Sequence, residues 1–439
     1  MLRTFDYERI PIVEVVNEIL LDSVKRNASD IHFEPYDNFL KVRIRIDGEL
    51  ADYAEVPNSL RRNLLTRIKI ISGMNITETR LPQDGAIKTV LKGVTFDLRV
   101  SSLPTNLGEK IAIRILDYTM SLKGLEYLGF SESNYKKMMD MIKTPNGIVL
   151  VTGATGTGKS TTVYALLQKL NTPTRNIVTV EDPIEMELES INQVQVNSEI
   201  GLTFANCLRS ILRQDPDIIM IGEIRDTETA KIAVRASITG HLVLSTLHTN
   251  NALNTIERLL DMEVERYLLA SALTGIVSQK LARRLCDKCK KMRAPNEYEK
   301  DIFKTVLGID VTAIPTAGSC ENCGNGYKGR IAIHEVLKIN EEIRDAISAG
   351  IKKEDLRELV YKGDVTTLLQ DGLQKVLNGF TTLEEVLKLI EFDEETVEQQ
   401  KERIKESNLK IAIADSLRKE LPEKEDKIMA DDQPEILEI

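Results

Sequence analysis

The residues most able to do chemistry lie in one short stretch about a third of the way along the chain, GATGTGKST, residues 153–161. It matches the phosphate-binding pattern G-x-x-x-x-G-K-[ST], in which glycines let backbone N–H groups turn inward around phosphate oxygens. Lys159 is expected to reach the β- and γ-phosphates, and the Ser160 hydroxyl is expected to ligate Mg²⁺. The candidate nucleotide-binding residues are Gly153, Thr155, Gly156, Thr157, Gly158, Lys159, Ser160 and Thr161. This stretch predicts that the protein binds a nucleoside triphosphate.

Carboxylates follow two apolar runs downstream of this loop. Glu223 comes after the run IIMI and is the candidate general base, because a glutamate at a strand end can orient and deprotonate a water aimed at the γ-phosphorus. Glu181 and Asp182 end a second run and could polarise water or bind Mg²⁺ through its hydration shell. The alternatives are a surface carboxylate for Glu223 and a plain strand-to-turn transition for Glu181 and Asp182.

Two of the four histidines, His241 and His248, lie in one strand-and-loop unit, TGHLVLSTLHTNN. A histidine at the end of a strand beside a phosphate-binding loop could contact the γ-phosphate and report its loss. A purely structural histidine is the alternative for each.

Four of the five cysteines form two C-x-x-C pairs about 30 residues apart, Cys286 with Cys289 and Cys320 with Cys323. Four thiolates in this pattern suit a closed, tetrahedral, structural Zn²⁺ site. Disulfides are the alternative, and they are disfavoured in a cytosolic chain. Cys207 stands apart and is expected to be buried in a helix.

Composition places the chain among ordinary globular proteins. Its 439 residues are enough for about three domains. It has no run of 18 apolar residues and no signal-peptide pattern at its start. The net charge of −10 argues against a general nucleic-acid binder. With no tryptophan and 5% aromatic residues, the composition favours a cytosolic, helix-rich enzyme.

The hydrophobic pattern divides the chain into five parts. Residues 1–118 predict a smaller α+β domain, with helices at 11–27 and 59–72 and alternating strands at 29–35, 40–46, 86–91, 94–102 and 109–116. Residues 123–285 alternate short apolar runs with helices, which is the signature of a mostly parallel sheet wrapped by helices. Residues 286–335 are cysteine-bearing and turn-rich, and 336–392 form a small helical domain. The tail, 393–439, is acidic and predicted to be flexible.

Several motifs in one order make the chain similar to a known family. It resembles the secretion ATPase superfamily, in the branch that powers type IV pilus assembly and type II secretion. The resemblance rests on SDIHFEP (29–35), RLPQDG (80–85), LRVSSLPT (98–105), GEKIAIRIL (108–116), GATGTGKST, VEDPIE (180–185), LRSILRQDPDIIMIGEIRD (208–226), TGHLVLSTLHTNNA (239–252), the two C-x-x-C pairs, GYKGRIAIHEVL (326–337) and DGLQKVLNGFTTLEEVL (371–387).

This resemblance implies a RecA-like P-loop ATPase domain preceded by a PAS-like domain, with ATP held between them in a hexameric ring. It also implies a Mg²⁺-dependent ATPase at the inner face of the cytoplasmic membrane, working on a membrane platform protein and touching no nucleic acid. By motif position, Arg99 and Arg114 correspond to arginines that reach the γ-phosphate. Solvated strand charges are the alternative for both. Arg209 and Arg213 would help to close the ring interface, and His241 and His248 match the histidine box.

Two departures from the family pattern bear on function. The recognisable sequence begins almost at Pro11, so we expect the chain to lack the far N-terminal docking domain of larger members. The acidic tail is the other departure; it is either a solubilising extension or a substitute docking surface. Retraction motors of the superfamily generally lack the four-cysteine insertion, so the resemblance favours assembly or secretion. A retraction motor, a nucleic-acid-translocating motor and an ATP-dependent switch protein are the rival functions.

Overall fold

The computed structural model describes residues 2–91, 94–116, 124–321, 323 and 325–390, and for residues 88–91 and 94–96 it describes the backbone alone. The acidic tail that we expect from residue 393 onward lies outside the described residues. Within the described part, two large sheets carry the fold.

The first sheet belongs to the amino-terminal part of the chain. Its elements are α1 (Ile12–Lys25), β1 (Ala28–Pro35), β2 (Phe39–Ile46), β3 (Glu49–Pro57), α2 (Asn58–Ile71), β4 (Gln83–Leu91), β5 (Val94–Thr105) and β6 (Gly108–Leu116). The strands pair antiparallel in the order β3-β2-β1-β6-β5-β4. Apolar side chains from α1, α2 and one face of the strands form a single core, which includes Ile19, Phe33 and Leu64. The opposite face is rich in charge.

The prediction of this α+β layer is confirmed, with one strand more than the sequence predicted. Strand β3 was missed because its first half is exposed and shows no alternation that a pattern could detect. The helices begin and end within two residues of the predicted bounds.

The second sheet is the larger one and has seven strands in the order β15-β12-β7-β11-β10-β8-β9. Its elements in chain order are α3 (Glu132–Ile142), β7 (Gly147–Thr152), α4 (Lys159–Leu170), β8 (Ile177–Glu181), β9 (Asn192–Gln195), α5 (Phe204–Ile211), β10 (Ile218–Ile221), α6 (Thr227–Ile238), β11 (Leu242–Leu247), α7 (Ala252–Asp261), α8 (Arg266–Ala272) and β12 (Leu273–Leu285). The predicted parallel sheet is confirmed, since β7 to β12 all pair in parallel.

Helices cover this sheet on both faces. Ile148 and Leu150 of β7 pack into one core with α5 to α8, whereas Val149 and Val151 pack into another with α3 and α4. Successive strand residues point to opposite faces, so a fully buried strand needs apolar residues at every position. The run IVLV meets this requirement and is buried throughout.

The carboxyl-terminal part completes the described chain. It comprises β13 (Lys291–Arg293), α9 (Glu297–Leu307), β14 (Ile314–Thr316), β15 (Tyr327–Lys338), α10 (Glu341–Ala349), α11 (Lys353–Lys362), α12 (Leu368–Leu377) and α13 (Leu383–Ile390). Strand β15 pairs antiparallel with β12. The large sheet therefore continues past residue 285 into residues 286–335, which the sequence predicts to be turn-rich. No helix among the described residues is long and apolar enough to cross a bilayer.

The β2–β3 turn of the small sheet contacts the outer end of the large one. Asp47 Oδ2 accepts a hydrogen bond from the backbone N–H of Gly329 at 3.0 Å, and Glu49 Oε1 lies 2.6 Å from Arg283 Nη1. The Arg283 guanidinium lies 4.1 Å from the ring centroid of Tyr327 and also contacts Glu385 of α13. We call this set of residues, 47, 49, 283 and 329, the hairpin contact.

Candidate functional site

Four loops that carry candidate residues follow the carboxyl ends of four neighbouring parallel strands. The glycine-rich loop follows β7, the acidic loop 182–190 follows β8, Glu223 follows β10 and His248 follows β11. Parallel strands present their carboxyl ends at one edge, which is where ligands bind in open α/β sheets. The strand order therefore brings these four stretches to the same edge.

The glycine-rich loop adopts a backbone shape that needs glycine at two points. Gly158 precedes the first residue of α4 with φ of +87°, in the left-handed region. At Gly153, an added Cβ would lie 2.5 Å from the carbonyl oxygen of Gln279. These glycines let the chain turn tightly from β7 into the helix.

Lys159 is buried against its own loop. Its Nζ donates hydrogen bonds to the carbonyl oxygens of Gly153 at 2.9 Å and Ala154 at 3.0 Å. Burial lowers the pKa of Lys159, although the charges of Glu223 and Glu185 oppose this. Glu223 and Glu185 are thus close enough to Lys159 to act on its charge.

The other loop residues differ in exposure. Thr155 and Gly156 are exposed, while Ser160 and Thr161 are half-buried at the start of α4. Thr157 donates from Oγ1 to Ala154 O at 2.9 Å, which closes the bend of the loop.

A glutamine that the sequence analysis did not select supports this loop through hydrogen bonds. Gln279 of β12 donates from Nε2 to the carbonyl oxygen of Thr157 at 2.7 Å, and its Oε1 accepts from Thr162 Oγ1 at 2.8 Å. The side chain is almost fully buried. No local pattern could have identified it, because its role depends on β12 pairing beside β7.

The carboxylate that contacts the candidate Mg²⁺ ligand is Glu185. Ser160 lies close enough to the Glu185 side chain to affect its pKa. Burial raises the pKa of Glu185 and outweighs the nearby Ser160 hydroxyl and the charges of Arg99 and Arg114, which lower it. Glu185 stands in the quoted motif VEDPIE, but sequence reasoning selected Glu181 and Asp182 instead.

Glu181 has a different environment, with donors on both of its carboxylate oxygens. Thr179 Oγ1 and Gln193 Nε2 donate to Oε1 at 2.6 and 3.0 Å, and the Tyr164 hydroxyl donates to Oε2. The same hydroxyl accepts hydrogen bonds from the backbone N–H groups of Glu185 at 3.1 Å and of Met186. Glu181 and Tyr164 therefore fix the backbone of the acidic loop, and Tyr164 is one helical turn from Ser160.

Glu223 and His248 lie together. His248 Nε2 is 3.2 Å from Glu223 Oε2, and Arg225 contacts Glu223 Oε1. Arg225 also reaches Asp182, with Nη1 3.3 Å from Oδ2. Burial raises the pKa of Glu223, but Arg225 and His248 outweigh it, so the pKa is lowered and the group is a carboxylate at neutral pH.

Both candidate arginines of the small sheet lie toward the acidic loop. Arg99 and Arg114 are directly opposite each other on β5 and β6. Arg99 Nη2 donates to the carbonyl oxygen of Ile184 at 3.1 Å, whereas Arg114 Nε pairs with Asp30 at 3.2 Å and is mostly exposed. Both lower the pKa of Glu185, so the small sheet brings positive charge to this edge.

Three candidates do not join this group. His241 precedes β11 at its amino end, where its carbonyl oxygen accepts from Gly147 N. It is separated from the glycine-rich loop by the length of a six-residue strand, about 20 Å. Arg209 is exposed near the end of α5 and pairs with Glu228, whereas Arg213 lies two residues beyond the helix and donates to the Arg209 carbonyl oxygen at 2.8 Å.

The four cysteines form one cluster at the outer ends of β12 and β15. Their Sγ atoms all lie within 4.8 Å of one another. The Cys286–Cys320 separation is 3.9 Å, and Cys323 lies 3.5 Å from both Cys289 and Cys320. Four Zn–S bonds of about 2.3 Å in a tetrahedron place sulfurs about 3.8 Å apart, whereas a disulfide needs about 2.0 Å. The donor set therefore fits zinc, and the disulfide alternative is not supported. Cys207 is buried in α5, as expected.

Comparison with known proteins gives consistent results. Residues 6–388 match the family described as "Type II/IV secretion system protein". The chain is 46% identical over 380 residues to the "Putative type II secretion system protein E" of Escherichia coli strain K12, covering 86% of this chain and 77% of that protein. It is 46% identical over 374 residues to the "Type IV pilus assembly ATPase PilB" of Thermus thermophilus, covering 85% of this chain and 42% of that protein.

Two solved structures are similar in fold. The ATPase DotB of Legionella pneumophila superposes with a TM-score of 0.66 at 24% identity, covering 89% of this chain and 98% of that chain. The pilus retraction motor PilT with bound ADP superposes with a TM-score of 0.58 at 26% identity, covering 87% and 97%.

Proposed function

Since this chain belongs to the type II/IV secretion system protein family, we propose that it is a hexameric ATPase that powers assembly of a type IV pilus, a pseudopilus or a type II secretion system. One observation carries the proposal: the phosphate-binding loop, Glu185 and Glu223 meet at the carboxyl edge of one parallel sheet, beside arginines from the small sheet.

Each residue at this edge has a role in the proposed reaction. Lys159 and the loop N–H groups bind the phosphates of ATP, and Glu223 takes a proton from the attacking water. Arg99 and Arg114 neutralise charge that develops on the γ-phosphoryl oxygens, and His248 senses whether that phosphate is present.

Ser160 and Glu185 would hold Mg²⁺, which supplies charge neutralisation to the phosphates when bound. An oxygen pair of hydroxyl and carboxylate suits this hard cation, and the influence of Ser160 on the pKa of Glu185 supports their being neighbours. Asp182, in the same loop, would contact the hydration shell of the ion.

The proposed setting follows from the family. We propose that the ring lies in the cytoplasm, on the inner face of the cytoplasmic membrane, and acts on a platform protein there. Zinc in the four-cysteine cluster would serve structure and not catalysis, because all four positions of a tetrahedron are taken by thiolates.

A retraction motor is the principal rival. The assembly and secretion relatives are 46% identical to this chain, whereas the retraction motor is 26% identical, and this difference favours assembly. Deletion of the gene should leave cells without the pilus or without secretion. A hyperpiliated strain would favour retraction instead.

The enzymatic test compares ATP hydrolysis by wild type and Glu223→Gln. Loss of a positioned general base should lower kcat by about 100-fold or more while ATP binding persists. Glu263→Gln is the matched control, because Glu263 is an exposed carboxylate that pairs only with Lys231 among the described contacts. Wild-type turnover in Glu223→Gln would refute the assignment of the base. Molecular mass and zinc content of the same preparation test the hexamer and the metal site.

A further inference from the structure

Arg225 contacts the proposed general base and is not itself part of the binding loop. It lies two residues after Glu223, in the connection between β10 and α6. Its side chain is 57% exposed, whereas that of Glu223 is 18% exposed. An exposed guanidinium can swing away from a carboxylate that the protein holds in place.

The contact leaves Glu223 poorly prepared to accept a proton. Arg225 engages one carboxylate oxygen and His248 lies 3.2 Å from the other. A guanidinium contact stabilises the ionised carboxylate and so makes it a weaker base. Because general-base efficiency follows basicity, removing this contact should favour proton transfer from water.

The Arg225 guanidinium also contacts a second carboxylate, that of Asp182. Asp182 Oδ2 is 3.3 Å from Arg225 Nη1, and Asp182 is 40% exposed. Arg225 can therefore leave Glu223 and keep a charged partner, which lowers the free-energy cost of the move. Asp182 belongs to the acidic loop, which Arg99 of the small sheet also contacts through Ile184.

We propose that Arg225 is a positioning residue that holds Glu223 in a resting arrangement, and that its transfer from Glu223 to Asp182 frees the carboxylate for hydrolysis. This inference rests on the proposed function, in which Glu223 is the general base. It links the acidic loop to the timing of hydrolysis, because movement of that loop changes the distance between Asp182 and Arg225.

The first test is the kinetic effect of Arg225→Gln. Loss of an exposed ion pair worth up to about 1 kcal/mol predicts a rise in kcat of up to about fivefold, with the KM for ATP unchanged. Arg225→Lys keeps the charge and should retain the wild-type rate. Lys231→Gln is the control, because it removes an exposed ion pair of α6 that does not touch Glu223. A lower kcat in Arg225→Gln would overturn the proposal and make Arg225 an activating residue.

A double-mutant cycle tests the transfer itself. Asp182→Asn removes the second anion and should lower kcat when Arg225 is present. In the Arg225→Gln background the same change should have no effect, because no guanidinium remains to be transferred. An equal effect of Asp182→Asn in both backgrounds would refute transfer to Asp182.

The proposed function and this inference fail differently. If Glu223→Gln hydrolyses ATP at the wild-type rate, the general base itself is wrong. If Glu223→Gln is inactive and Arg225→Gln is slower than wild type, only the restraint is wrong. Unchanged urea midpoints for all these variants would exclude misfolding as the cause of any change in rate.

Discussion

Arg99 Nη2 donates a hydrogen bond to the carbonyl oxygen of Ile184, 3.1 Å away, and so ties the small sheet to the acidic loop of the large one. Ile184 lies between Asp182 and Glu185, two of the exposed or half-buried carboxylates of that loop. This hydrogen bond therefore links the small sheet to the loop that carries Glu185.

Replacing Arg99 should affect hydrolysis more than binding. Arg99→Ala removes a cation from the edge where γ-phosphate charge develops, so kcat should fall by about tenfold or more. Steady-state ATP hydrolysis measures this. Arg62→Ala, an exposed arginine of α2, should hydrolyse ATP normally. Equal losses of kcat in both variants would show that the effect comes from the total charge of the protein and not from the position of Arg99.

Tyr164→Phe should loosen the acidic loop without changing the volume of the core. The variant leaves a buried Glu181 oxygen without its tyrosine donor and two backbone N–H groups without an acceptor, at a cost of about 1–3 kcal/mol. We expect a lower urea midpoint and a higher Mg²⁺ concentration for half-maximal hydrolysis. Tyr135→Phe removes only an exposed hydrogen bond to Glu126 and should change neither quantity. A normal Mg²⁺ requirement in Tyr164→Phe would contradict the role of Tyr164 in placing Glu185.

Cys320→Ser should abolish stoichiometric zinc binding. A structural zinc site needs all four thiolates, so the metal content should fall from about one ion per chain toward zero. The melting temperature should fall with it, because metal binding contributes to folding. Cys207→Ala should keep its zinc, since Cys207 is buried in α5 away from the cluster. Full zinc content in Cys320→Ser would exclude this ligand set.

Glu34 of β1 predicts a pH-dependent contribution to stability. Burial opposes its ionisation, but hydrogen bonds from Arg43 and Lys110 outweigh burial and lower the pKa of Glu34 to about 2. A lowered pKa stabilises the fold above the unfolded-state value of about 4.3, and this stabilisation is lost as the pH falls toward 2. Glu34→Gln should therefore lower the free energy of unfolding by about 1–2 kcal/mol at pH 7.

The pH profile of that variant is the decisive measurement. Urea unfolding from pH 7 to pH 3 should show the difference between wild type and Glu34→Gln shrinking below about pH 4. Glu55→Gln, at an exposed position of β3, should follow wild type throughout. If the difference in unfolding free energy between wild type and Glu34→Gln stays constant with pH, the destabilisation comes from altered packing and not from the charge of Glu34.

Sequence reasoning succeeded where a function is encoded in consecutive residues. The glycine-rich loop, the apolar strand before it and the paired cysteines are local patterns, so the parallel sheet and the clustered thiols could be predicted. Contacts between residues that are far apart in the sequence could not be predicted. Gln279 and Tyr164 look like ordinary strand and helix residues, and their contacts arise only when β12 and the acidic loop pack beside the glycine-rich loop.

Two residues that match one motif also need not lie at one site. His241 and His248 flank the same strand and match one motif, yet the parallel sheet places them at opposite edges. Likewise, Glu181 and Glu185 are four residues apart, but donors on both oxygens fix Glu181 while Glu185 faces Ser160.

The hairpin contact and the Arg99–Ile184 hydrogen bond together attach the small sheet at two points, through β3 near one side of the strand order and β5 near the other. A rigid sheet held by two contacts can rotate about the line that joins them. If one contact were lost, the sheet could still rotate about the other. Arg283 and Gly329 of the hairpin contact flank the cysteine cluster in sequence, so one attachment lies beside the four cysteines and the other beside the glycine-rich loop.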